Sequence, residues 1–168
     1  VLALILLVAL GLRLHGVNWD DGNLFHPDER DIYMRAGCMY DVLIEKAGYG
    51  RCGYVQQYPE TVGGLPSPGV FLDAERSPLN PHWFPLGSIL IYVMVVFRSA
   101  IELFTDISSL DMRYVGRPLS ALADVGSVLL LFLVGRRMYG LGVGLLAAGL
   151  AALAVIHVQN SHFYRPET

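Results

Sequence analysis

Residues 118–158 read PLSALADVGSVLLLFLVGRRMYGLGVGLLAAGLAALAVIHV. Two apolar runs, Pro118–Val134 and Leu141–Val158, flank the basic stretch Gly135–Gly140. Only Asp124 brings a charge into the first run. The second run carries Gly142, Gly144, Ala147, Ala148, Gly149, Ala151 and Ala152. Small residues of this kind let helices approach closely in lipid. Arg136 and Arg137 stand in the connection with no acid beside them, and the positive-inside rule assigns such a turn to the cytoplasm. Residues 118–135 then run inward and 141–159 run outward. Arg117 lies outside, and residues 160–168 begin a second outer loop.

The composition agrees with a membrane chain. Of 168 residues, 54% are hydrophobic and 16% charged, against about 45–50% and about 25% in ordinary soluble domains. Mean hydropathy is +0.46. Disordered, coiled-coil, collagen-like and disulfide-scaffold classes are excluded. Net charge is −3, from 12 basic and 15 acidic residues. No basic cluster marks a nucleic-acid partner. Cys38 and Cys52 are too few for a framework and lack zinc-finger spacing. An extracytoplasmic location would permit one bridge between them.

Val1–Leu12 spans about 18 Å as a helix, less than the hydrocarbon core of about 30 Å. Residues 1–14 read as the second half of a first span, and the chain as the N-terminal part of a longer protein. Residues 15–117 read as an outer loop. Within it Pro27, Asp28 and Glu29 suit a helix start, and Ile32, Ala36 and Met39 recur at helical spacing. A juxtamembrane helix is expected over about 28–40. Residues 84–104 are apolar enough to span. Counting crossings instead favours a second juxtamembrane helix there, with Arg98 and Glu102 one turn apart at the interface. Four full spans are the alternative.

Four features could carry chemistry. Phe25–His26–Pro27–Asp28–Glu29–Arg30–Asp31 gathers three carboxylates, an arginine and a histidine. Adjacent carboxylates suit a general base or a metal ligand; the plainer reading is a solvated helix start. His82, in Asn80–Pro81–His82–Trp83–Phe84–Pro85, is a candidate ligand or an interfacial anchor. His162 and Arg165 lie three apart in the polar segment after the last apolar run, at a membrane edge where ionisable groups suggest function. Asp124 is expected to pair with another helix. No nucleophile elbow, P-loop or dinucleotide fingerprint is present.

Five stretches, in this order, resemble the N-terminal part of a family 39 glycosyltransferase, the protein-mannosyltransferase and aminoarabinose-transferase group of the GT-C superfamily. They are His26–Pro27–Asp28–Glu29, Asn80–Pro81–His82–Trp83–Phe84–Pro85–Leu86–Gly87, Gly116–Arg117–Pro118–Leu119–Ser120–Ala121–Leu122, Gly135–Arg136–Arg137–Met138–Tyr139–Gly140, and Ser161–His162–Phe163–Tyr164–Arg165–Pro166–Glu167–Thr168. The resemblance implies an all-α integral membrane protein, a GT-C-type multi-span bundle with juxtamembrane helices in a long outer loop. It implies a polyprenyl-phosphate sugar donor and a lipid, glycan or protein acceptor. It implies an extracytoplasmic site in a plasma membrane, most simply a prokaryotic one. Asp28 and Glu29 become the catalytic pair, with Asp28 as base. Arg30, Arg165 and His162 become candidates for the phosphate. In one branch a divalent metal is bound, and His82 and Glu167 fall at its ligand positions. The family usually has Asp where Glu167 stands.

Overall fold

The computed structural model describes residues 1–43, 67–85 and 87–165. These are helical and contain no strand. The helices are α1 (Leu2–Leu14), α2 (Pro27–Leu43), α3 (Pro68–Phe71), α4 (Ile89–Ile101), α5 (Arg113–Tyr139), α6 (Leu141–Leu153) and α7 (Val155–Asn160). A 3₁₀ turn at Leu110–Met112 leads into α5. The chain divides into two compact units. One comprises Val1–Asn23 and Arg113–Thr168, the other Leu24–Met112.

In the first unit, α5 and α6 form an antiparallel hairpin against which α1 packs. Its core is Ala9, Val128, Phe132, Ala148 and Ala152. The helices touch because glycines face each other. A Cβ on Gly135 would come within 3.0 Å of the Gly144 Cα, and one on Gly144 within 2.8 Å of the Phe132 carbonyl oxygen. The expected turn over 135–140 is tighter than the sequence suggests. Helix α5 continues through Arg136 and Arg137, and the chain reverses at Gly140, whose φ of +94° suits a residue without Cβ. At its other end α5 starts five residues before Pro118.

The run 141–159 is not one helix. It breaks at Ala154, whose ψ of 114° is extended. Neither Gly nor Pro stands there. The Arg13 guanidinium donates to the carbonyl oxygens of Ala151 (3.3 Å) and Ala152 (3.0 Å). A side chain inserted into the hydrogen-bond ladder is a recognised cause of helix interruption.

Leu110–Tyr139 is a helical stretch of 30 residues, long and apolar enough to cross a membrane. Helices α1, α4 and α6 have 13 residues each, about 20 Å. By length and apolarity, the described residues thus hold one candidate span and three shorter apolar helices.

In the second unit α2 packs on α4. Ile32, Tyr33, Ala36, Met39 and Tyr40 are buried on α2, and Ile91, Met94 and Val95 on α4. Helix α2 covers the expected 28–40 with a few residues more. Helix α4 is shorter than 84–104, because Pro81 and Pro85 keep the preceding segment out of helix. Arg98 bonds Glu102 at 3.3 Å as the spacing predicts, and also meets Asp41 at 3.2 Å. Its guanidinium lies over the Tyr40 ring at 4.3 Å. Cys38 is disulfide-bonded; Cys52, the partner that the sequence permits, lies outside the described residues.

Candidate functional site

The first turn of α2 presents the acidic cluster. Asp28 and Glu29 are adjacent in sequence but have opposite surroundings. The Asp28 side chain is 42% exposed, and its Oδ2 lies 4.0 Å from His26 Nδ1. Glu29 is fully buried, and its Oε1 accepts a bond from the Tyr33 hydroxyl at 3.1 Å. Helical geometry produces the split. Residues 29, 32, 33 and 36 share the face that packs inward, while 28 sits about 100° round the helix. Arg30 is exposed on the same turn. A carboxylate open to solvent can meet a substrate hydroxyl; one sealed against a tyrosine cannot.

His82 stands in the turn before α4. Its φ of +49° is left-handed, and its backbone N–H donates to Asn80 Oδ1 at 2.8 Å. Arg35 of α2 reaches the same turn, donating to the Pro81 carbonyl at 2.8 Å and lying 5.3 Å over the Trp83 ring. Glu167 lies outside the described residues. Among the described residues, no three His, Cys, Asp or Glu side chains gather in a metal-binding arrangement.

In the other unit, His162 and Arg165 follow α7. Both His162 nitrogens face carbonyl oxygens at 2.6 Å, Nδ1 that of Val158 and Nε2 that of His15. Both can donate only when the ring is protonated, and neither is left over for a phosphate in this arrangement. Arg165 donates to Asn160 Oδ1 at 3.1 Å and stacks over Phe163 at 5.3 Å. Tyr164 between them is buried, and burial pushes its phenol above the usual range.

Two buried ion pairs organise this unit. Arg117 binds Asp20 through both terminal nitrogens, at 2.9 and 2.7 Å, and donates to the Val17 carbonyl at 2.7 Å. Arg13 Nε donates to Asp124 Oδ2 at 2.5 Å, and the other Asp124 oxygen meets His157 Nδ1 at 2.9 Å. Asp124 therefore pairs across helices as expected, with Arg13 of α1. Sequence reading missed Asp20 and Arg13. The available signal was an arginine closing an apolar helix, since such a charge in lipid needs a partner. No match to a protein-family model, a curated protein or a solved structure emerged for the chain.

Proposed function

We propose that the chain belongs to an integral membrane glycosyltransferase, moving a sugar from a polyprenyl-phosphate donor to an acceptor hydroxyl on the extracytoplasmic face. The observation that carries this reading is the split of the Asp28–Glu29 pair. One carboxylate is open beside a histidine at the start of an amphipathic helix, and its neighbour is buried. In the reaction the acceptor O–H gives its proton to Asp28. The freed oxygen bonds the anomeric carbon from the face opposite the phosphate. The bond from that carbon to the phosphate oxygen breaks, and its electron pair leaves with the polyprenyl phosphate. The anomeric centre inverts. Arg30, on the same exposed turn, supplies positive charge for the departing phosphate. Glu29 holds Tyr33 and takes no proton in this scheme. None of these steps needs a metal at His82 and Glu167.

Three further features support it. The ordered motifs resemble family 39 glycosyltransferases. Disulfides persist in oxidising compartments, so the bonded Cys38 favours an extracytoplasmic α2. Arg136 and Arg137 at the far end of α5 favour a cytoplasmic end there.

A membrane transporter is the second reading, favoured by the ionisable set Arg13–Asp124–His157 among apolar helices. A transfer assay on the membrane-embedded protein with radiolabelled polyprenyl-phosphate sugars separates the two. Transfer by wild type, with a loss of about a hundredfold or more in Asp28→Asn, supports the enzyme. Transfer unchanged in that variant removes Asp28 from the centre, and no transfer with any donor returns the transporter.

A further inference from the structure

The unit formed by Val1–Asn23 and Arg113–Thr168 contains a cavity of about 340 Å³ lined by His15, Gly16, Trp19, Gln159, His162 and Phe163. It is near the lower end of small-molecule sites, about 300–1,000 Å³. Its walls are held in place. The Arg117–Asp20 pair is buried directly beside Trp19 in sequence, and Arg117 also grips the Val17 carbonyl. His162 bridges the two sides, bonding Val158 on its own turn and the His15 carbonyl across the cavity rim. Trp19 meets Phe163 edge to face, with centroids 5.6 Å apart.

The lining has a definite chemistry. It contains no Lys, Arg, Asp or Glu among the described residues, and both nitrogens of its His162 are already turned to carbonyl oxygens. Trp19 is about half exposed and presents a flat apolar surface. Beside it the His15 ring and the Gln159 carboxamide are exposed, and neither meets a hydrogen-bond partner among the described residues. The imidazole can donate or accept, and the carboxamide does both. Such a wall suits a small, neutral ring with an apolar C–H face and hydroxyls around its edge.

From this we infer that the cavity binds one pyranose ring, stacked on Trp19 and hydrogen-bonded by His15 and Gln159. Binding here requires neither Asp28 nor turnover, and so stands apart from the transfer reaction. An alkyl chain, the rival occupant, would use the aromatic wall and leave both polar groups idle.

The test is titration of the protein in lipid nanodiscs, free of glycoside detergents, with methyl α-D-mannopyranoside, methyl β-D-glucopyranoside and methyl β-D-xylopyranoside. The chain has two tryptophans, so Trp83→Phe leaves Trp19 as the fluorescent reporter. Saturation-transfer NMR on the unaltered protein gives a second readout should that variant misfold. At least one glycoside is expected to bind saturably, about tenfold more weakly in Gln159→Ala, as for loss of a hydrogen bond. The loss in Gln159→Ala is read at Trp19 whether or not the protein transfers sugar, so that failure of the transferase reading leaves it standing. Three results would overturn it: no saturable response to any glycoside, full binding after combined His15→Ala and Gln159→Ala, or response to n-octanol alone.

Discussion

Arg117 and Asp20 bind each other through two parallel hydrogen bonds with neither side chain exposed. The pair ties the start of α5 to the loop after α1, and that loop carries Trp19. Removing one partner strands the other charge away from water. Arg117→Leu is expected to destabilise the protein by about 3–5 kcal/mol. The double variant Asp20→Asn with Arg117→Leu should lose clearly less than the two single losses added. Chemical denaturation of all four proteins in one detergent measures the coupling; strict additivity would show that the pair does not act as a unit.

Asp124 is bonded on one side by Arg13, which is buried, and on the other by His157, whose side chain is 47% exposed. The two contacts should therefore differ in strength. Asp124→Ala is expected to cost about 3–5 kcal/mol by orphaning Arg13. His157→Ala should cost at most about 1 kcal/mol, as for a solvated pair. Equal unfolding midpoints for the two variants would contradict this ranking.

The α5–α6 contact depends on Gly144. A Cβ there meets the backbone of Phe132 and Arg136 at 2.8 Å, whereas one on Gly149 has open space. Gly144→Ala is expected to lose about 1–3 kcal/mol through overpacking. Gly149→Ala should be neutral or gain up to about 1 kcal/mol in helix propensity. Thermal unfolding in detergent distinguishes them, and similar losses at both sites would remove the close approach as the cause.

Asp73 organises the turn after α3. Backbone N–H groups of Arg76 and Glu75 donate to its Oδ1, and the Arg76 side chain to its Oδ2. These bonds hold the carboxyl below its ordinary value of 3.8. A lowered value stabilises the turn above that pH, and the benefit disappears as pH falls through the folded-state value. The Glu75 and Arg76 amide resonances should move together on acidification below about pH 4, the ordinary range for Asp, and should be insensitive to pH in Asp73→Asn.

How far the sequence could be read depended on the range of the forces involved. Helix α2 was legible because Pro27, Asp28 and Glu29 act within one turn. The one-turn spacing of Arg98 and Glu102 was legible, whereas the contact of Arg98 with Asp41 on another helix was not. The acidic pair was visible too, but not which carboxylate faces out, since that depends on α2 packing against α4. The pairing of Asp124 could be expected, whereas its partner lies 111 residues away at Arg13. The break at Ala154 has no local signal, because its cause is again Arg13. The Cys38 bond could be posed only as a permitted option, since bridging depends on spatial approach.

Arg13 has a consequence for how the protein is made. Synthesis yields this cation 111 positions before the carboxylate that neutralises it. A lone guanidinium resists entry into hydrocarbon. If α5 crosses the bilayer, the end of α1 must wait near the headgroups until α5 and α6 emerge from the ribosome and enter beside it. Insertion of the first helix is then completed by the later ones. A chain released before α6 would lack the Ala151 and Ala152 carbonyls that complete this arginine's shell, giving membrane quality control a chemical mark of an unfinished product.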